Sequence, residues 1–271
     1  MYERAWLLDR PHAPYMYLSP DAHDAYQADL DRILSLSPAW LRIGLRARGI
    51  RNWIRLTQEA YWTSKARRTG ARPLVKDPFL LLSVEWFVRN SDALPIILVR
   101  HPAAFVSSIK RLGWRLDVST LLAQPQLMSR FLFPYRDALS EDASGRLDII
   151  DHACLVWRAL NTTVRYYEEK YPDWYVLRYE DLARDPIAGF ESLYDKLNIP
   201  WTDEIQGKLI SHNSDRNPSE VSPERRGSTR RNSSTAMWTW LSRLSDAEIA
   251  RVKQSTGDVA AYWYDDADWP S

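Results

Sequence analysis

A cationic side chain and two hydroxyl groups follow a short apolar run in this sequence. Residues 96–99 are Ile-Ile-Leu-Val, which is typical of a strand buried on both faces, and Arg100 comes directly after them. Pro102 has the fixed φ that suits a first helical turn, and Ser107 and Ser108 come about two turns later. The free N–H groups of a first turn attract negative charge and arginine binds phosphate through a bidentate fork, so this junction predicts an anion site. A surface arginine and two serines on a helix face remain the alternative that spacing alone leaves open.

A second polar pair, Lys76 and Asp77, ends a short run at residues 73–76 that we predict to be a strand. Open α/β sheets bind their ligands beyond the carboxyl ends of the strands. The pair is therefore a candidate for ligand binding or proton transfer. A solvated Lys-Asp pair at the end of a strand is the alternative.

The stretch at residues 211–234 has Asn, Ser, Pro and Arg where the rest of the chain has periodic apolar residues, so we predict a long basic loop. Loops of this length inside a compact domain are usually functional or disordered. The loop is either a flap that closes on a phosphate or a solvated arginine loop. Within it lie Arg225, Arg226, Arg230 and Arg231, and Ser233 follows them.

The segment LPIILVRHPAAFVSSIKRLGW resembles the 3′-phosphate-binding segment of sulfotransferases that use 3′-phosphoadenosine 5′-phosphosulfate (PAPS). This resemblance implies that Arg100 and Ser108 hold the 3′-phosphate of the nucleotide. The segment VLRYEDLARDP is similar to a second signature of the family, which implies that Tyr179 lies near the adenine. The run that starts with Arg231 and Ser233 is similar to the loop-then-helix ending of bacterial members, whose loop cation reaches the same phosphate.

The family also places a lysine, matched here by Lys76, against the transferring sulfuryl group. Many members have a catalytic histidine two residues later, but this sequence has Pro78 there. The resemblance therefore leaves Asp77 as the nearest candidate for the general base, with Glu85 in reserve.

Another departure concerns the amino-terminal part of the family pattern. Members begin with a strand and a phosphosulfate loop of the P-loop type, whose N–H groups cradle the 5′-phosphosulfate. None of the nine glycines of this sequence lies in such a loop. We expect that the chain begins after the loop or has lost it, and that without it the chain turns over little substrate.

The three predicted strands, at residues 73–76, 94–100 and 174–179, are separated by helical patterns, which favours a parallel sheet with crossover helices. We predict a single, helix-rich α/β domain over residues 1–271. The resemblance implies a P-loop NTPase-like sulfotransferase fold, with a central parallel sheet that lacks its first strand. Proline and capping signals predict helix starts after Ser19, Asp185 and Ser245, the last with a capping box to Glu248. The other helices are expected at residues 51–67, 79–89, 103–112, 119–139 and 151–170.

Composition limits the classes of partner. The 36 Lys and Arg side chains nearly balance 35 Asp and Glu, so the net charge of +1 gives no broad field for nucleic acid or a membrane. The single cysteine, Cys154, excludes an intramolecular disulfide and a cysteine-based zinc site, and we expect it to be buried. No apolar run approaches the ~18 residues of a membrane span and no signal peptide is recognisable, so we expect a soluble, cytoplasmic protein.

From the resemblance we expect a PAPS-dependent sulfotransferase of a bacterial branch of the family, with PAPS as co-substrate and no metal. The acceptor would be a hydroxyl-bearing small molecule or glycan. A P-loop-type nucleotide phosphotransferase is one alternative, although it needs a magnesium-binding hydroxyl and a carboxylate at a strand end, which we cannot identify. A non-catalytic remnant that binds a nucleotide or glycan is the other.

Overall fold

The computed structural model describes residues 15–22, 26–37, 50–220 and 230–269. The chain divides into two compact units, Met1–Ala93 and Leu94–Ser271, which we call unit 1 and unit 2. The described part of the chain is a helix-rich α/β structure with one small parallel sheet. This confirms the α/β class in its coarse form.

Unit 1 consists of helices and irregular segments in its described residues. Its α-helices are α1 (Gln27–Leu34), α2 (Ile50–Arg68) and α3 (Val84–Arg89), and a 3₁₀ helix at Pro78–Ser83 leads into α3. Two predictions fail here. Residues 73–76 form no strand and Leu74 is 81% exposed, because this short run has no neighbouring strand to pair with in the described residues. Ser19 and Pro20 form a turn, closed by the N–H of Ala22 bonding to the carbonyl of Ser19 at 2.9 Å, and do not start a helix.

The 3₁₀ segment of unit 1 is tied to an irregular stretch near its start. The Ser83 hydroxyl accepts a hydrogen bond from the N–H of Leu18 at 3.0 Å and donates one to the carbonyl of Met16 at 2.5 Å. The Trp86 indole N–H donates to the carbonyl of Ala22 at 2.7 Å. These bonds satisfy partly buried backbone groups of the irregular stretch, which no strand or helix pairs.

Unit 2 carries the sheet, which consists of β1 (Ile96–Val99) and β2 (Tyr175–Arg178). The strands are parallel, with Ile96 opposite Tyr175 and Val99 opposite Arg178. Two of the three predicted strands are therefore confirmed, and both end where the sequence places polar groups.

The helices of unit 2 are numbered from α4 onward. They are α4 (Pro102–Leu112), α5 (Ser119–Leu122), α6 (Pro125–Leu127), α7 (Arg136–Ala143), α8 (Ile149–Lys170), α9 (Tyr179–Arg184), α10 (Pro186–Lys196), α11 (Asp203–His212), α12 (Ser233–Ala236) and α13 (Asp246–Ala260). The core lies where α4, α8 and α13 pack together, and small residues such as Ala103 and Ala153 let these helices approach closely. Cys154 is buried in this core, as predicted, and burial raises the pKa of its thiol to about 12.

Helix starts in unit 2 follow the capping signals. Asp185 caps α10 through the N–H of Ala188, and Ser245 and Glu248 form the predicted capping box of α13. The long helix predicted at residues 119–139 is instead broken into short helical, π and 3₁₀ segments, because Pro125 and Pro134 lack the N–H groups that a continuous helix needs. No helix within the described ranges is long and apolar enough to cross a membrane.

Candidate anion site at the end of the parallel sheet

The junction between β1 and α4 is held by polar contacts on both sides. The carbonyl of Arg100 accepts a hydrogen bond from the indole N–H of Trp157 on α8 at 2.9 Å. The Nδ1 of His101 accepts one from the N–H of Ala103 at 3.3 Å, so a histidine caps the helix. The backbone that carries Arg100 is therefore fixed from the core side.

A buried carboxylate joins this junction to the end of β2. Glu180 Oε1 accepts a hydrogen bond from the N–H of His101 at 3.0 Å, and its Oε2 accepts one from the hydroxyl of Tyr264 at 2.9 Å. The sequence pattern around Glu180 does not predict this role. The available signal was the acidic residue directly after Tyr179 at the end of a predicted strand.

Three of the predicted site residues in unit 2 lie close together in the structure. They are Arg100, Ser108 and Tyr179. The Nη1 of Arg100 lies 3.4 Å from Ser108 Oγ, and the guanidinium carbon lies 5.4 Å from the centroid of the Tyr179 ring. Ser108 also donates to the carbonyl of Ala104 at 3.0 Å. Ser107 makes a similar bond to Ala104 at 3.2 Å but is buried. A guanidinium, a hydroxyl and an aromatic ring thus converge at the carboxyl end of the sheet.

The charge of Arg100 has no close acidic partner among the described residues: none of their carboxylates lies within ion-pair distance of it. Its Nε is buried and has no hydrogen-bond partner there either. Burial lowers the pKa of Arg100, and the positive charges of Arg243 and Arg231 lower it further, while Tyr179 and Glu180 act in the opposite direction. A buried cation with an unsatisfied donor, next to further cations, favours an anionic ligand.

The basic loop contributes its carboxyl-terminal end to this region. The backbone N–H of Arg231 bonds to the carbonyl of His212 at 2.9 Å, and the Arg231 side chain is exposed. Ser233 donates its hydroxyl hydrogen bond to the side-chain oxygen of Asn213. Arg243, which the sequence analysis did not select, forms a hydrogen-bonded ion pair with Glu220, with 3.0 Å between Nε and Oε1. Arg225 and Arg226 lie outside the described residues.

The candidate catalytic residues belong to unit 1. Lys76 is exposed. Asp77 is the N-cap of the 3₁₀ helix, and its Oδ1 accepts a hydrogen bond from the N–H of Phe79 at 2.9 Å. Glu85 lies on α3 and is buried. Asp77 thus caps the 3₁₀ helix, a structural role in addition to the predicted role of general base.

A second polar cluster lies in unit 2, beside a cleft of about 310 Å³. The Nδ1 of His152 is 2.5 Å from Asp142 Oδ2, and its Nε2 accepts a hydrogen bond from the N–H of Leu116 at 3.2 Å. Arg115 pairs with the other oxygen of Asp142 at 3.2 Å. Both ring nitrogens and the carboxylate are engaged within the protein, so the cluster fastens α7 to α8. Among the described residues no group of three or more His, Cys, Asp or Glu side chains is arranged to hold a metal ion.

Comparison with known proteins finds no matching family model, no similar curated protein and no matching solved structure.

Proposed function

We propose that this protein is a PAPS-dependent sulfotransferase of a bacterial branch of that family, with a P-loop NTPase-like sulfotransferase fold. The observation that carries the proposal is the Arg100 guanidinium, which is buried beyond β1 with an unsatisfied Nε and no close counter-charge in the described residues. The resemblance places the 3′-phosphate of the nucleotide at this arginine and at Ser108. The sequence pattern and the geometry around Arg100 both favour an anion at the same atoms.

The residues around Arg100 fit a nucleotide phosphate by their chemistry. Arginine offers a planar fork of donors and Ser108 adds a hydroxyl, so a phosphate would receive charge-assisted bonds from two directions. The Tyr179 ring offers an aromatic surface for a base, and Arg231 adds a second positive charge.

The proposed reaction transfers a sulfuryl group from PAPS to an acceptor hydroxyl by in-line displacement. Negative charge builds on the leaving phosphate oxygen, so cations and positioned donors contribute most of the catalysis. We propose that Lys76 stabilises the sulfuryl group and that Asp77 accepts the proton of the acceptor hydroxyl. Arg100, Ser108 and Arg231 would keep the nucleotide in place by its 3′-phosphate. These roles rest on the family pattern.

Nucleotide preference tests the proposal without requiring turnover. Thermal denaturation of the purified chain would be followed with adenosine 3′,5′-bisphosphate, with 5′-AMP, and with ATP and magnesium. We expect the bisphosphate to raise the melting temperature and 5′-AMP to have a much smaller effect, because only the bisphosphate has the 3′-phosphate. Equal protection by 5′-AMP would contradict the assignment. Protection by ATP with magnesium, without protection by the bisphosphate, would also contradict it and would favour a phosphotransferase.

A further inference from the structure

Helix α2 of unit 1 exposes several large apolar side chains to water, although little of the helix is buried against the rest of the unit. Trp53 is 48% exposed, Ile54 52%, Tyr61 57% and Trp62 60%. Among the side chains of α2 whose environment the structure describes, Leu56 is the one that is buried. A water-exposed helix with this many rings is typical of a surface that binds something.

Cations share the exposed face with these rings. Tyr61, Lys65 and Arg68 are spaced by four and three residues, so they lie on one side of the helix, and Ile54 joins them seven residues before Tyr61. The Nζ of Lys65 lies 5.2 Å from the centroid of the Trp62 ring, and the Tyr61 and Trp62 rings are 5.3 Å apart. Lys65, Arg67 and Arg68 form a basic last turn.

The charge around α2 is far from the average of the chain. Residues 38–72 contain nine Arg and Lys and a single acidic residue, Glu59, which gives this segment a net charge of +8 in a protein of net charge +1. The remaining sequence therefore has a net charge of −7, because +1 minus +8 is −7. Such a separation of charge orients a protein toward an anionic surface even when the total charge is close to zero.

We propose that the exposed face of α2, made of Ile54, Tyr61, Trp62, Lys65 and Arg68, binds the surface of an anionic lipid bilayer. Tryptophan and tyrosine rings partition into the interfacial region of a bilayer, and lysine and arginine place their charges at the headgroups while their stems enter the apolar layer. Bound in this way, α2 would lie in the plane of the interface, with its rings and its cations at the level of the headgroups.

The apolar side chains favour a bilayer over a nucleic acid or a sulfated glycan. A soluble polyanion would be bound by the cations of α2, but it would leave Ile54 and much of the exposed ring area in water. A bilayer with anionic lipids accepts both kinds of group. The proposal does not depend on the proposed sulfotransferase activity.

Binding of the full chain to vesicles tests this proposal. Sedimentation would compare vesicles of phosphatidylcholine with vesicles that also contain about 30% phosphatidylserine, at ~0.1 M salt. We expect binding to the anionic vesicles to be at least tenfold tighter, and to weaken as salt increases.

Two variants separate the two kinds of contact. Lys65→Glu/Arg68→Glu reverses two charges, and since each cation near a membrane contributes about fivefold, we expect binding to fall by tenfold or more. Tyr61→Ser/Trp62→Ser keeps the charges and is also expected to weaken binding. Circular dichroism would verify that both variants are folded.

A matched control and a site-specific probe complete the test. Arg146→Glu/Lys208→Glu makes the same change in net charge at two exposed positions of unit 2 and should bind as the wild type does. Tyr61→Cys can be labelled with a polarity-sensitive dye, because the buried Cys154, whose thiol pKa is raised to about 12, stays protonated and unreactive. Dye emission should shift to the blue on anionic vesicles.

Three results would overturn the proposal. The first is absence of binding to anionic vesicles. The second is an equal loss of binding in the control Arg146→Glu/Lys208→Glu, which would show attraction by total charge. The third is binding without a dye shift and without an effect of Tyr61→Ser/Trp62→Ser, which would show that α2 binds soluble polyanions through its cations alone.

Discussion

The guanidinium of Arg100 and the hydroxyl of Ser108 lie 3.4 Å apart although Ser108 comes eight positions later in the chain. β1 ends at Val99 and α4 begins at Pro102, so Ser108 lies on the second turn of α4, roughly 9 Å along the helix axis from Pro102. The contact exists because the long Arg100 side chain spans this distance. The rule that anions bind beyond the carboxyl ends of parallel strands applies to the same place.

We predict that Arg100→Ala weakens binding of adenosine 3′,5′-bisphosphate by about 2–4 kcal/mol, since a charge-assisted contact at a desolvated site would be lost. Ser108→Ala should cost less, about 1 kcal/mol, because a neutral donor is removed. Calorimetric titration measures both.

Ser107→Ala is the matched control for Ser108→Ala. Ser107 is adjacent and makes the same kind of bond to Ala104, yet it is buried. Its replacement should leave nucleotide affinity unchanged. Equal affinities for wild type, Arg100→Ala and Ser108→Ala would show that the 3′-phosphate does not bind at this junction.

The elements around Arg100 could be predicted because their signals are local. β1 is a short β-branched run, and β2 joins an aromatic residue to Val and Leu. The starts of α10 and α13 follow from side chains three residues from the N–H groups that they cap. The convergence of Arg100, Ser108 and Tyr179 follows from parallel strands ending at one edge of a sheet.

Other features depend on tertiary contacts that no local pattern encodes. Glu180 accepts from Tyr264, which is 84 residues away in the chain, and neither residue has a sequence signal for the partner. The run at residues 73–76 has β-like residues, but a strand needs a neighbour to pair with. Thr202 caps α11 in a stretch where the sequence predicts no helix, since the apolar residues of α11 are too few to show a helical period.

We predict that Asp77 has two separable tasks. Asp77→Ala removes the cap of the 3₁₀ helix and should lower the free energy of unfolding by about 1 kcal/mol, whereas Asp77→Asn keeps a capping oxygen and should cost only a few tenths. Urea denaturation measures this difference. If Asp77 is the general base, both variants should lose at least about 100-fold in PAPS turnover relative to the unsubstituted protein.

Asp77→Asn with near-normal turnover would show that the base lies elsewhere. Glu85, the reserve candidate, would then be tested by Glu85→Gln. A loss of turnover that follows the loss of stability, large in Asp77→Ala and absent in Asp77→Asn, would assign Asp77 to the cap alone.

Removal of the Tyr264 hydroxyl should break its hydrogen bond to Glu180 and destabilise the fold. We predict that Tyr264→Phe lowers the free energy of unfolding by about 1.5–3 kcal/mol, because the buried carboxylate loses one of its two hydrogen-bond donors. Tyr262→Phe is the control, since Tyr262 is 43% exposed and should tolerate the change. Urea denaturation measures both variants, provided that the free energy of unfolding depends on urea concentration with the same slope in each. An equal effect of the two variants would contradict the role given to Glu180.

The last prediction concerns the pH dependence that His101 gives to folding. Its ring is enclosed by aromatic rings, with centroids 5.1 Å from Trp240, 4.9 Å from Tyr264 and 4.3 Å from Trp269. Burial lowers the pKa of His101 to about 3, with Asp268 opposing the shift. The folded protein therefore keeps a neutral imidazole at pH values where the unfolded chain, with a histidine pKa of about 6.5, takes up a proton.

The sign of the effect follows from the number of bound protons. Below about pH 6.5 the unfolded state binds more protons than the folded state at His101, so stability falls with decreasing pH until about pH 3. At about pH 5 the protonation of His101 in the unfolded state lowers the free energy of unfolding by about 2 kcal/mol. Above about pH 6.5 this histidine adds no pH dependence to stability. His101→Asn keeps a side chain that can cap α4 but cannot titrate. Between about pH 7 and pH 5 the wild type should thus lose about 2 kcal/mol more than the variant in urea denaturation, and parallel losses would show that His101 is protonated in the folded protein.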